Sequence, residues 1–320
     1  MNAALVHSFD SPPSYASFAE PVAAEGELVV QVIAAGLHPI VKLLASGTHY
    51  GSSGQLPFIP GIDGVGRLQD GTPVYFGLSR PPFGTFAERS VTVRGMYLRL
   101  PEALDPVTAA GISNPGMSSW VALKMRAQFV AGETVLILGA TGVAGQLAVQ
   151  IAKRLGARRV IAAGRNPTAL AKLTGLGADH IISLDHEPAS LVDSFRSGWA
   201  EGGVDIVLDY LWGGPAESLL EAISQKGLQH AASRIRYIQI GSSAGQTISL
   251  AAATLRSSAL ELLGSGFGAA SIAQIWQALG EFFQMAAKEP FQTNIKTAPL
   301  EDVEALWNSP EQGTRLVFQP

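Results

Sequence analysis

The chain has 320 residues, 22 Lys plus Arg against 26 Asp plus Glu, a formal net charge of −4 and no cysteine. That length predicts about two domains, each with its own core, and the charge balance gives no reason to invoke nucleic acid or an anionic membrane surface. The missing cysteines exclude disulfides, thiolate catalysis and cysteine-ligated zinc.

From the N-terminus, MNAALVHSFDSPPSY lacks a basic stretch followed by an apolar core, so no secretory signal is expected. No run is long and apolar enough to span a membrane, and a cytoplasmic setting is the expectation. Residues 1 to about 113 are rich in short β-type runs and Pro/Gly turns. Glu27 to Ala34, Pro73 to Phe76 and Ala87 to Val93 are expected strands of a β-rich module. From Glu133 the pattern changes to strands alternating with helical segments. Expected strands are Val135–Leu138, Val160–Ala163, His180–Ser183, Val204–Asp209, Ile235–Ile240 and Leu260–Leu263. Strands joined by helices predict a doubly wound parallel sheet, so the fold class is α/β. A glycine-rich bend, Gly264 to Gly268, precedes an expected helix from Ser271 to Ala287, and Thr314 to Phe318 is a closing strand.

The segment ETVLILGATGVAGQLAVQIAKRLGA carries the clearest chemistry. An apolar strand runs straight into a turn containing Gly139, Gly142 and Gly145, and a helix then opens with Leu147, Ala148, Ile151, Ala152 and Leu155 on one face. Strand, glycine turn and helix form the first unit of a dinucleotide-binding fold, with backbone N–H groups at the helix start receiving a pyrophosphate. Ala140, Thr141, Gly142, Val143 and Gly145 are the expected contacts, Gly142 for close phosphate approach and Gly145 for helix-on-strand packing. The spacing departs from GxGxxG, since Ala140 stands at the first glycine position. About 20–25 residues past that turn, where an acid would bind the ribose of NAD, the chain has Gly164, Arg165 and Asn166. A guanidinium there suits a 2′-phosphate, with Lys172 as a further charge, so NADP(H) is the expected cofactor. Gly241, Ser242 and Ser243 follow the fifth of these strands, at the sheet edge where ligands of open α/β sheets bind.

Several segments together resemble the medium-chain dehydrogenase/reductases, in their zinc-free quinone oxidoreductase (zeta-crystallin-like) branch. They are PFIPGIDGVGRL (Pro57 to Leu68), GTFAERSVTV (Gly84 to Val93), Asn114-Pro115 with Ala122-Leu123, VDIVLDYLWGG (Val204 to Gly214), IGSSAG (Ile240 to Gly245) and the closing LEDVEALWNSPEQGTRLVFQP. The resemblance implies a GroES-like β-rich catalytic domain of residues 1–113 and 269–320, a Rossmann NADP(H)-binding domain of residues 114–268, and an active site between them. It also implies that Gly266 and Phe267 pass the nicotinamide and that the strand before them pairs two copies into a homodimer.

Zinc chemistry needs three protein ligands and an open position. By the same resemblance the first zinc position of relatives falls on His38 and the second on Ile62, which cannot bind metal, so no metal is expected. The implied catalytic candidates are Tyr50, as a hydroxyl donor to substrate oxygen, and His38, as a proton relay or as a structural cap before Pro39. The usual branch aspartate falls on Val41. Asp63 is read as a turn acid between glycines, Asp209 as a cap for the segment after its strand, and His7, His180, His186 and His230 as surface or packing residues. The implied activity is NADPH-dependent reduction of a quinone or an α,β-unsaturated carbonyl. An enoyl-thioester reductase on the same scaffold and an NADPH-binding protein with little turnover remain open alternatives.

Overall fold

Two short strands open the chain, β1 (Asn2–Leu5) and β2 (Ser14–Ser17), paired antiparallel. The alternating run from Glu27 forms β3 (Glu27–Gly36), and Pro39 starts a short helix, α1 (Pro39–Ala45). Strands β4 (Asp63–Arg67), β5 (Pro73–Gly77), β6 (Arg89–Val93) and β7 (Tyr97–Arg99) follow, and then helix α2 (Pro106–Trp120), which leads into a π-helical turn, Val121–Arg126. The next elements alternate: β8 (Thr134–Leu138), α3 (Val143–Arg154), β9 (Arg159–Gly164), α4 (Pro167–Leu173), β10 (His180–Ser183), α5 (Pro188–Gly198), β11 (Ile206–Asp209), α6 (Gly213–Ile223), β12 (Arg234–Gln239), α7 (Ala252–Ser257) and β13 (Ala259–Gly264). Helix α8 (Ile272–Lys288), β14 (Asn294–Pro299), α9 (Val303–Leu306) and β15 (Thr314–Gln319) close the chain. This computed structural model describes residues 1–52, 54–199, 202–224, 233–310 and 313–320. His230 lies outside the described residues.

The structure divides into two units, Met1–Asn114 with Leu279–Pro320, and Pro115–Ala278. The chain's return to the first unit falls inside α8, not in the glycine-rich bend. In the first unit seven strands form one sheet, β14-β15-β3-β4-β5-β7, with β6 also pairing β3. All its pairings are antiparallel except β14 with β15. Its core gathers Val6, Ala35, Ile59, Phe86, Trp307 and Phe318. Two features depart from the sequence reading. Asp63 begins a strand instead of sitting in a turn. The glycines around it serve close strand approach, since a Cβ at Gly66 would lie 2.4 Å from the Gln31 carbonyl oxygen. Strand β14 went unrecognised because NIKTAP is mostly exposed and lacks apolar alternation.

In the second unit six strands form a wholly parallel sheet of order β10-β9-β8-β11-β12-β13. Each lies close to its expected limits. Every residue of β8 is buried, as a parallel strand covered on both faces requires. The order reverses between β8 and β11, which makes that point the topological switch where such sheets bind ligands. Register sets Leu138 beside Asp209, Asp209 beside Gln239 and Gln239 beside Gly264. One carboxyl edge therefore carries every loop expected to meet a cofactor.

Candidate functional site

The glycine turn is built by close contact. Gly139 has φ +85°, a left-handed conformation that a glycine adopts without strain. A Cβ at Gly145 would stand 2.4 Å from the Gly139 carbonyl oxygen and 2.5 Å from Ala140 Cα, so only glycine lets α3 start this close to β8. Gly142 is the N-cap of α3 and is exposed, and a Cβ there would find only the Gly139 oxygen, at 3.6 Å. Ala140 and Val143 are buried and Thr141 half-buried, with the Gln146 side chain donating to the Thr141 carbonyl at 2.9 Å. The turn thus presents an open backbone surface at Gly142 above a packed floor.

At the end of β9, Gly164 is buried, and a Cβ there would meet Thr141 Cγ2 at 2.6 Å. The absent side chain makes room for Thr141 and so ties the second strand to the glycine turn. Arg165 is exposed and has no ion-pair or hydrogen-bond partner among the described residues. Asn166 caps α4, its Oδ1 accepting from the Ala169 N–H at 3.0 Å, and Lys172 lies exposed in the last turn of that helix.

The third loop rests on Asp209. Its Oδ1 accepts from the N–H groups of Leu211 and Trp212 at 2.7 and 3.0 Å, and its Oδ2 from the Tyr237 hydroxyl at 2.8 Å. Burial raises the Asp209 pKa against the pull of these three donors. This is the capping role read from the sequence. It holds Trp212 at φ 56° and ψ −159°, a region otherwise almost confined to glycine. Gly241 packs on the same turn, where a Cβ would lie 2.8 Å from the Tyr210 carbonyl oxygen, and Ser243 Oγ donates to that oxygen at 3.0 Å. Ser242 Oγ bonds Gln246 Oε1 at 3.3 Å. Tyr210 itself joins Ser119 by a hydroxyl pair at 2.7 Å, and burial pushes its phenol up to about 12. Trp212, Gln239, Ser242, Gln246, Leu263 and Gly264 line a cavity of about 340 Å³ at this edge. Gly266 and Phe267 lie exposed in the loop leaving Gly264. Sequence reasoning missed Gln239 and Gln246, whose part depends on register across β11 to β13.

The first unit holds a buried polar cluster. Asp63 Oδ2 accepts from Tyr75 Oη and from Ser113 Oγ, both at 2.9 Å, and His38 Nε2 lies 3.5 Å from Asp63 Oδ1. Burial pushes the Asp63 carboxyl up to about 6 despite its two hydroxyl donors and the charge of Arg315. Burial, with the Arg315 charge, pushes the His38 imidazole well below its ordinary value, so the ring is neutral. Tyr75 is driven well above the usual phenol range by burial and by the neighbouring carboxylate. His38 stands at the N-cap of α1 without making a side-chain cap, which corrects the capping alternative. Its ring instead fills the space over Gly36, where a Cβ would fall 2.7 Å from Nε2. Tyr50 is 76% exposed, its ring 4.1 Å from that of His49. The two catalytic candidates therefore differ in access. Ile62 packs against the apolar core of its unit, and among the described residues no three His, Asp or Glu side chains form a group able to hold a metal ion.

Among known proteins, the zinc-binding dehydrogenase family matches residues 143–284, a segment that contains neither His38 nor Ile62. A probable NADPH-dependent quinone reductase, TdiC, of Emericella nidulans is 29% identical over the full length of both chains. Human quinone oxidoreductase is 29% identical over 66% of each chain. Among solved structures, the quinone oxidoreductase of Thermus thermophilus, solved also as its complex with NADPH, superposes with a TM-score of 0.80. It is 29% identical and both chains are fully covered.

Proposed function

We propose that the chain is an NADPH-dependent reductase of quinones or α,β-unsaturated carbonyls, in the quinone oxidoreductase branch of the medium-chain dehydrogenase/reductases, a reading supported by its likeness to the quinone reductases above. The observation that carries this reading is the carboxyl edge of the parallel sheet. The glycine turn, the Gly164-Arg165 corner, the Gly241–Ser243 loop and the Gly266-Phe267 loop all stand along it.

The turn from Ala140 to Gly145 would hold the pyrophosphate, its helix start supplying N–H donors and the positive end of the dipole. Arg165, exposed and unpaired among the described residues, would grip the 2′-phosphate with Lys172 adding charge. Gly241, Ser242 and Ser243, with Gly266 and Phe267, would place the nicotinamide. When bound, NADPH supplies a hydride. A quinone acceptor would need one proton beside that hydride to become the hydroquinone, so a donor or water must reach its oxygen. Because the charge in the acceptor is delocalised over its conjugated system, the protein needs to supply only position and a hydrogen-bond donor. Of the two candidates we assign the donor to Tyr50, which solute can reach. His38, buried against Asp63, supports the α1 segment that precedes Tyr50.

A homodimer through β13 is part of the same reading. Among the described residues β13 is one of the sheet's two edge strands, pairing only β12, and Leu262 on it is exposed. Sedimentation at micromolar concentration gives a dimer if this holds and a monomer if it does not.

The deciding experiment titrates NADPH and NADH into the protein and then adds benzoquinone-type and enone acceptors. Preferential NADPH binding followed by oxidation is the expected result. Binding without turnover except on acyl thioesters would move the assignment to an enoyl-thioester reductase, and no binding of either nucleotide would overturn it.

A further inference from the structure

The loop that leaves β13 is held at both of its ends by one side chain. Arg126 Nε donates to the Gly264 carbonyl at 2.9 Å and Arg126 Nη1 to the Ala269 carbonyl at 3.3 Å. Gly266 and Phe267 lie between these two acceptors. Inside the span the Ala269 N–H bonds the Gly266 carbonyl at 3.0 Å, and Gly268 turns at φ +94°. Ser265 N–H extends the sheet by donating to the Gln239 carbonyl at 2.8 Å. The guanidinium therefore closes a small ring of backbone whose first member, Gly264, is also a wall of the 340 Å³ cavity.

Arg126 is itself aimed by an unusual local structure. It ends the π-helical turn Val121–Arg126, in which the Ala127 N–H reaches back to the Ala122 carbonyl at 2.8 Å. Such turns are costly and recur at functional positions. This one is anchored from the sheet: buried Arg236 on β12 pairs with Glu133 and donates to the Ala127 carbonyl at 2.6 Å. Gln128 beside it takes φ 50°. The path runs from β12 through Arg236 to the end of the π turn, and from Arg126 to the loop after β13, the adjacent strand. A planar fork with donors in fixed directions can bridge two carbonyls, which the single ammonium of a lysine does poorly.

We propose that Arg126 is a positioning residue for hydride transfer: by tying Gly264 to Ala269 it sets the rim of the cavity and thereby which face of the nicotinamide meets the acceptor. This rests on the NADPH-dependent reading above. The test compares wild type, Arg126→Ala and Arg126→Lys in two measurements. The first is NADPH affinity without acceptor. The second is turnover of benzoquinone with NADPH deuterated at either C4 position, read as deuterium retained in NADP⁺.

Wild type is expected to bind NADPH and take hydride from one face. Both variants are expected to lose about tenfold to a hundredfold in kcat, with little change in the quinone KM, and to draw hydride from both faces. A variant that is only less stable would lose activity with melting temperature while keeping single-face transfer, and that result overturns the assignment. Should Arg126→Ala fail to fold, Arg126→Lys, which keeps the charge and stem, carries the same comparison. Failure of wild type to bind NADPH overturns the functional reading itself, whereas single-face transfer in wild type and variants alike overturns only the role of Arg126.

Discussion

His38 Nε2 and Asp63 Oδ1 face each other at 3.5 Å in the interior of the first unit, and neither atom has a hydrogen-bond partner among the described residues. An imidazole that burial keeps neutral thus meets a carboxyl whose pKa burial raises. Two hydroxyls, from Tyr75 and Ser113, satisfy the far side of the carboxyl.

This pair sets a pH dependence with opposing signs. Asp63 has its folded pKa raised from 3.8 to about 6, so the native state binds its proton more tightly. That contribution is fully present below pH 3.8 and is lost as pH rises through 6. His38 has a depressed pKa, so its contribution is present above pH 6.5 and is lost as pH falls. In Asp63→Asn the carboxyl's contribution disappears. Urea unfolding between about pH 4 and pH 7 should show wild type losing about 2–3 kcal/mol relative to the variant. Parallel curves would mean that the Asp63 carboxyl titrates normally.

The two glycines of the turn should separate packing from binding. Gly145→Ala puts a methyl group on backbone atoms and is expected to destabilise the second unit by about 1–3 kcal/mol, seen as a lower melting temperature without ligand. Gly142→Val puts its Cβ only at ordinary contact distance from the Gly139 oxygen, so stability should fall by no more than about 1 kcal/mol, the cost of a poor N-cap residue, while affinity for NADPH and NADH falls together. Retained tight binding in Gly142→Val would refute its place against the pyrophosphate.

Arg165→Ala should weaken NADPH by roughly 1–3 kcal/mol, the worth of a charge-assisted pair, and leave NADH nearly unchanged. Titration by nucleotide fluorescence reads both. An equal loss for the two nucleotides would remove Arg165 from the 2′-phosphate.

Asp209→Ala strips a buried acceptor from two backbone N–H groups and the Tyr237 hydroxyl, at about 1–3 kcal/mol for each buried group left unsatisfied. The Trp212 backbone, held at φ 56° by that carboxylate, should relax at the same time. Loss of stability together with a shift in tryptophan emission is the expected outcome. Asp209→Asn, which keeps an acceptor oxygen, should recover part of both.

The fold of the second unit was legible in the sequence because its determinants are local. A buried strand, a glycine turn and an amphipathic helix lie within Thr134 to Arg154, and each is specified by neighbours a few positions away. Gly145 and the Gly164-Arg165 corner could likewise be placed by counting along the chain. Tertiary structure decided the rest. Asp63 looked like a turn acid because its companions His38, Tyr75 and Ser113 come from other elements and meet it only when the sheet and α2 close over it. The hold of Arg126 on Gly264 joins residues 138 positions apart, and nothing in the periodicity of either segment signals it. Burial, orphaned polar atoms and long-range hydrogen bonds arise from which surfaces come together, a property that local pattern leaves undetermined.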